Sequence, residues 1–525
     1  MPARLNIMKY TSKGRSDGET IRLIGRNSRL SLLQLGIVKQ KIEAAFKGIN
    51  VQIIARSSRG DILQDVPLHT VEGSDFFTQD IFDALANDEA DIAVHSLKDM
   101  SSEHFFGRNR FAVVDRDDTR DVVIFNKKVE LKIKNGDSVI IGTCSPRREE
   151  MAIGFLQKAL PQWSKEFKVV TKSIRGNVDT RLKKLNTGEY DGIILATAGL
   201  NRLLGSEKDA PAIKELLHDK KLMLLPLIEC VPAPCQGAIV AEANPVNQKA
   251  VEILNRINDS KVMEACVKEK KTAMQYGVGC LQKFGVTSIG YADKEILYAA
   301  GKDSKGAIFT RWTGLPDLEV GKKNFFSTTD FMGSFFQYEN NDDTIAINEP
   351  VVYVANYKAV EKKELIGHLK TKKVWVAGTK TWFELAKKEI WVEGCADAFG
   401  LEFLQIPWQM PLINISKTNV AVVTNDHSAI SWQVKGWKTY STYSTVEKTI
   451  PAIEDKVKEA DIIFWTSFRQ YKQYKEAVKS TVIHACSFGE TAEQFKTAGI
   501  EPVIFPSIKA FQQWRQISIP SHSVV

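Results

Sequence analysis

The sequence contains no CxxC pair and no Cys/His run at metal-ligand spacing. Its seven cysteines, Cys144, Cys230, Cys235, Cys266, Cys280, Cys395 and Cys486, are odd in number and scattered. That pattern argues against a disulfide framework and against structural zinc, so no metal is expected. No apolar run is long enough to span a bilayer. The opening "MPARLNIMKYTSKGRSDGET" lacks the apolar stretch of a secretory signal and reads as a loose tail, residues 1–19, on a cytoplasmic protein. A strong excess of charge of one sign is lacking: 71 basic residues face 63 acidic ones, a net of +8. No Lys/Arg run carries interleaved aromatics, which disfavours nucleic acid as a partner. What is left is a chain of 525 residues, 43% hydrophobic, long enough for several domains.

The first half alternates strand-like and helix-like pieces. "IRLIG" (21–25) reads as a strand, and "RLSLLQLGIVKQKIEAAF" (29–46) has helical apolar spacing with Ser28 placed to cap it. "VQIIARS" (51–57), "DIAVHS" (91–96), "VVIF" (122–125), "SVIIGT" (138–143) and "GIILATA" (192–198) are short strands, several continuously apolar. Such strands are expected in mainly parallel sheets covered by helices on both faces, an α/β class. Ligands there sit beyond the carboxyl ends of the strands, near helix N-termini. The second half repeats itself weakly. "VVYVANYKAV" (351–360) then "VWVAGTKTWFELA" (374–386) parallels "DIIFWTSFRQY" (461–471) then "VIHACSFGETAEQF" (482–495). Two similar α/β modules are the simplest account.

Hydroxyls and arginines recur where strands end or helices begin. Arg26 and Ser28 follow the first strand. His95, Ser96, Lys98 and Asp99 follow "DIAV". Thr143, Ser145, Arg147 and Arg148 follow "VIIG", and Arg175, Arg181 and Arg202 come later. Arginine grips carboxylates bidentately and helix N–H groups add to the field, so a ligand with many carboxylates fits. Taken singly, Ser28 and Ser145 read equally well as caps and the arginines as surface charge. Cys280, in the glycine-softened "QYGVGCLQKFG" (275–285), reads as filler, redox sensor, metal ligand or attachment point.

The stretches "IGRNSRLSLLQ", "RGDILQDVPL", "FFTQDIFDALANDEADIAVHSLKDM", "RDDTRDVVIF", "GTCSPRREEM", "IRGNVDTRLKKLNTGEYDGIILATAGLNRL", "PAPCQGAIVAE" and "GVGCLQKFG" resemble porphobilinogen deaminase, also called hydroxymethylbilane synthase, across residues 20–312. The resemblance implies that Cys280 holds a dipyrromethane cofactor through a thioether. Porphobilinogen losing ammonia leaves an electrophilic methylene carbon, for which a thiolate is a good nucleophile. It implies Asp99 as the catalytic carboxylate, with Lys98 beside it, stabilising positive charge as ammonia leaves and as the carbon–carbon bond forms. Arg26, Lys98, Arg147, Arg148, Arg175 and Arg181 would bind acetate and propionate groups, helped by Ser28, Thr143 and Ser145, with Phe77 over the pyrroles. Four porphobilinogens add in turn, and water releases hydroxymethylbilane. The chain departs from the family at Thr70 and Ser74, where lysines are usual in a mobile lid, and at Glu72 and Asp75. Arg29 stands for a usual proline, and Cys235 for a usual glycine at a place where an anion site would expose its thiol to adventitious reaction.

Residues 325–525 resemble uroporphyrinogen-III synthase through the two repeats, "WVEGCADAFG", "TYSTYSTV" and "FGETAEQFKTAGIEPVIFP". That family closes the bilane ring between two α/β lobes, and fusion raises the effective concentration of the second enzyme near the product of the first. Thr381, Thr466, Ser467, Thr491, Tyr440 and Tyr443 are the candidates there, each reading equally as a cap or core residue. The architecture implied is two hinge-linked α/β domains laid out like periplasmic binding proteins (20–117 with 222–245, and 118–221) and a small α+β domain carrying Cys280 (246–312). Residues 313–349 read as linker, and 350–525 as a two-lobed α/β region. A cytoplasmic monomer acting on porphobilinogen, with no membrane partner, is the expectation. Two other readings stay open: a deaminase with a non-catalytic C-terminal module, and a non-catalytic receptor for an acidic ligand. A receptor needs neither Asp99 nor Cys280.

Overall fold

The computed structural model describes residues 20–57, 79–277, 282–291, 294–321, 323–341 and 345–518. Phe77, Cys280 and the lid positions Thr70, Glu72, Ser74 and Asp75 lie outside them. The chain divides into two compact units, one drawn from 1–63, 75–115 and 239–263, the other from 64–74, 116–238 and 264–525.

The first unit is built on a five-stranded sheet ordered Asn50–Arg56, Thr20–Arg26, Ile92–Ser96, Ala238–Ala243, Arg110–Arg116. Thr20–Arg26 runs parallel to both of its neighbours. Helix Arg29–Ala45 starts where sequence spacing put it, with Ser28 Oγ accepting from Ser31 N at 3.2 Å. Its Leu35, Val38 and Ile42 pack onto Leu23, Ile92 and Val94, and Ile253 and Leu254 of helix Gln248–Ile257 close the same core. Asn50–Arg56 is an edge strand, alternately exposed rather than buried throughout.

The second unit opens with another five-stranded sheet, ordered Val169–Lys172, Val139–Gly142, Gly192–Ala196, Asp121–Phe125, Lys221–Leu224. Both sheets are mainly parallel, as expected, but each contains a reversed strand. Asp121–Phe125 runs antiparallel to both neighbours, and Ala238–Ala243 antiparallel to Ile92–Ser96. Continuous burial requires only cover on both faces and carries no information about direction, which is why the apolar runs missed this. The expected return segment 222–245 divides between the two sheets: Lys221–Leu224 joins the second and Ala238–Ala243 the first.

A three-stranded meander follows, Lys283–Tyr291, Lys294–Lys302 and Ile308–Thr313. The remaining chain makes two further sheets. Four parallel strands are ordered Phe325–Ser327, Ile462–Trp465, Ile483–Ser487, Val503–Phe505. Six are ordered Phe336–Asn340, Lys438–Glu447, Val420–Asn425, Val351–Val354, Lys373–Val376, Val392–Cys395. The two sequence repeats fall one in each sheet. Residues 313–349, read as linker, supply the strands Phe325–Ser327 and Phe336–Asn340, and the latter pairs antiparallel with Lys438–Glu447. The six-stranded sheet shares one core with the second five-stranded sheet, through Phe155, Trp382 and Trp391.

Candidate active site

In the first unit, Arg26 ends strand Thr20–Arg26 and Ser28 caps the helix that follows. The parallel neighbour Ile92–Ser96 runs into the short turn Leu97–Asp99, in which Leu97 is wholly buried while Lys98 and Asp99 are half-exposed. Pairing of Leu23 with Ile92 puts these two strand ends at one sheet edge, so Arg26, Ser28, Lys98 and Asp99 gather there. The turn is held from below. Gln34 Nε2 donates to Ser96 Oγ at 2.8 Å. Glu242, fully buried, faces His95 Nε2 at 3.3 Å and His104 Nε2 at 2.7 Å. Burial pushes the Glu242 carboxyl up, but the hydrogen bond to His104 and the close approach of His95 outweigh it and leave its pKa at about 2.

In the second unit, Thr143 and Ser145 lie beyond strand Val139–Gly142, and Arg147 and Arg148 occupy the first turn of helix Pro146–Ala159. Ser145 makes no side-chain cap; its amide donates to Thr143 Oγ1 at 3.2 Å instead. Arg147 and Arg148 are buried. Each donates an Nη2 to Asp121, at 2.8 Å, and their Nη1 groups reach Val231 O at 2.6 Å and Ile194 O at 3.2 Å. Burial opposes ionisation of Asp121, but the two guanidinium groups hold its carboxyl far below the usual range. Gln236 Nε2 adds a third bond to Asp121, at 2.9 Å. Sequence reasoning passed over Asp121; the available signal was an acid heading an otherwise apolar strand.

Arg175 and Arg181 stand beside this clamp. Arg181 Nε donates to Gly176 O at 2.7 Å, where Gly176 has φ +110°, a left-handed turn suited to glycine. Burial lowers the pKa of the Arg181 guanidinium; the Cys144 thiol opposes this, while the like charges of Arg148 and Arg175 reinforce it. None of these neighbours is a carboxylate. Among the described residues, Arg175 Nη2 is buried without a hydrogen-bond partner. A cluster of guanidinium groups short of negative charge is a binding place for a poly-carboxylate, and the acid side chains of a dipyrromethane fit it. Arg202 turns elsewhere, with Nη2 on Gly237 O at 2.6 Å.

The residues flanking the Cys280 loop are tied together, Gln282 Nε2 donating to Gly277 O at 3.2 Å. Tyr276 stacks on Phe309 with centroids 3.8 Å apart. Cys235 corrects one expectation. It adopts φ +61°, the left-handed region, which explains why glycine is usual there. Its thiol is fully buried, donates to Cys266 O at 3.4 Å, and is pushed well above its ordinary pKa by burial, so it is not an open nucleophile.

In the C-terminal sheets several of the nominated hydroxyls have structural partners. Thr466 Oγ1 donates to Gln470 Oε1 at 2.9 Å, Ser467 caps helix Phe468–Tyr474, and Thr381 is buried in helix Thr379–Lys387. Thr491 sits in the first turn of helix Glu490–Thr497. Tyr440 OH donates to Glu349 at 3.0 Å, and Tyr443 is buried near Asn425.

The fold defines an α/β protein with arginine and hydroxyl clusters where its strands end and its helices begin. The family model for "Porphobilinogen deaminase, dipyromethane cofactor binding domain" matches residues 21–252. A probable porphobilinogen deaminase of Metallosphaera sedula is 34% identical over 286 residues, covering 54% of this chain and 87% of that protein. The chain belongs to the porphobilinogen deaminase family, whose cofactor is dipyrromethane. Two solved structures show remote likeness. YhfZ from Shigella flexneri matches at TM-score 0.22 and 14% identity, covering 50% of this chain and 98% of that one. The probable amino-acid ABC transporter extracellular-binding protein ytmK from Bacillus subtilis matches at 0.26 and 10%, covering 49% and 97%.

Proposed function

We propose that the chain is a hydroxymethylbilane synthase, joining four porphobilinogen molecules with loss of ammonia on a dipyrromethane held by Cys280, and that residues 325–525 act as a uroporphyrinogen-III synthase on the product. The observation that carries the first part is the arginine cluster with Arg175 Nη2 unsatisfied and Arg181 beside two like charges. When bound, the dipyrromethane supplies the pyrrole end onto which substrate is added. Arg175 and Arg181 bind acid side chains directly. Arg147 and Arg148, through their clamp on Asp121, fix the floor beneath them and leave Arg148 within electrostatic reach of the ligand. Thr143 and Ser145 line the same strand end. In the first unit, Arg26, Ser28 and Lys98 bind further carboxylates. Asp99 accepts pyrrole N–H groups and offsets the positive charge that develops as ammonia departs. Phe77 covers the rings. Intact-protein mass tests the attachment: the wild type carries a pyrrole-pair increment and Cys280→Ser does not. A wild type without it defeats the proposal.

For residues 325–525, two α/β sheets between which the chain passes twice, at the paired strands Phe336–Asn340 and Lys438–Glu447, support the synthase reading. The capping and core roles of Thr466, Ser467 and Thr381 favour a second reading, a non-catalytic module. Incubation with porphobilinogen alone separates them. Type-III isomer supports the synthase, and type-I isomer supports the module.

A further inference from the structure

Residues 226–232 form a turn that touches three parts of the second unit. Toward the arginine site, Val231 O accepts from Arg147 Nη1 at 2.6 Å. Toward the strand that follows the Cys280 loop, Pro232 O accepts from Val286 N at 3.1 Å. Gly285 lies so close that a Cβ there would sit 2.3 Å from Val231 O. Toward the C-terminal sheets, Asp397 Oδ1 accepts from Ile228 N at 3.3 Å. Glu229 Oε1 accepts from Thr379 Oγ1 at 3.2 Å and from Lys509 Nζ at 2.7 Å. Thr379 opens a helix of the six-stranded sheet, and Lys509 lies in helix Ile508–Ser518, which follows the four-stranded sheet. One carboxylate therefore joins both C-terminal sheets to the deaminase turn. Around it, Leu227 and Val231 share a core with Phe399, Ala510, Ile289 and Trp312.

We propose that residues 226–232 are a coupling element through which the C-terminal sheets position the Arg147–Asp121–Arg148 clamp, with Glu229 and Asp397 as positioning residues for the deaminase site. Val231 O is fixed on one side by Arg147 and on the other by the grip on Ile228 and Glu229, three and two residues earlier. A shift of that grip moves an acceptor of a buried guanidinium, which has no water to turn to. Asp397 is itself buried; burial raises its pKa to about 6, against the opposing charge of Arg120. Its carboxyl sits there despite that cost, accepting from Ile228 N–H.

The inference rests on the arginine site proposed above, and the experiment keeps the two apart. In the full-length holoenzyme, Glu229→Ala and Asp397→Ala are each expected to raise KM for porphobilinogen about fivefold or more, with kcat changed less. Both should also speed alkylation of Cys230, which is buried in the same turn. Asp397→Asn keeps an acceptor for Ile228 N–H and should restore both readouts. Faster Cys230 alkylation with unchanged KM overturns the coupling, as does unchanged alkylation in both alanine variants. Arg148→Lys is the reference: an unchanged KM in it overturns the site reading itself. If Asp397→Ala does not fold, Glu229→Ala, at a half-buried position, decides alone.

Discussion

Trp382 donates its indole N–H to the carbonyl of Ala159, at 3.1 Å, from 223 residues further along the chain. Ala159 is the last residue of helix Pro146–Ala159, so the bond satisfies one of the carbonyls that a helix end leaves open. The ring also meets Phe155 edge-on at 5.1 Å. Removing it with Trp382→Ala is expected to cost about 3–5 kcal/mol. Because the ring lies in the one core that the two sheets share, thermal unfolding followed by deaminase activity and by tryptophan fluorescence should fall together. Separate transitions, with deaminase unfolding unmoved, would show that the contact bears no load.

Asp99 lies half-exposed in the turn that follows strand Ile92–Ser96. Asp99→Asn keeps its shape and removes its charge. Turnover of porphobilinogen should fall about 10²- to 10⁴-fold, with thermal stability changed by no more than about 0.5 kcal/mol. A variant of normal kcat would remove Asp99 from the chemistry.

Gly285 has no room for a side chain, since a Cβ would lie 2.3 Å from Val231 O and 2.5 Å from Pro232 O, both backbone atoms. Gly285→Ala must push the strand off the turn. A loss of about 3 kcal/mol or more is expected by denaturant titration, in the range of severe overpacking. Gly290→Ala, in the same strand with nothing within 4 Å, should be nearly neutral and serves as the control.

Glu242 gives a pH signature. Its pKa is about 2 in the folded protein against an ordinary 4.5, because His104 and His95 outweigh the opposing effect of burial. A depressed acid stabilises the fold above its unfolded pKa, so the contribution is complete above about 4.5 and is lost as pH falls toward 2. Its size is roughly 3 kcal/mol. Glu242→Gln should flatten the acid limb of the stability curve measured in urea. An unchanged acid limb would place the sensitive group elsewhere.

Several elements were legible in the chain itself. Ser28 before an apolar period of 3.6 marks a helix start because a hydroxyl can satisfy Ser31 N–H wherever the helix lies. The runs at 92–95, 122–125 and 192–195 are buried through their length, as their largely apolar sequence requires. Arg26, Asp99 and Thr143 lie at strand ends for the same local reason.

What sequence spacing determined was therefore the set of elements, their caps and the charged groups at their ends, since each depends on neighbours a few residues away. Only the tertiary structure decided strand direction, the grip of Arg147 and Arg148 on Asp121, and the meeting of Glu229 with Thr379 and Lys509. Those contacts join residues tens to hundreds of positions apart. A guanidinium pairs with whichever acceptor burial brings within reach, and no local period records which one that is.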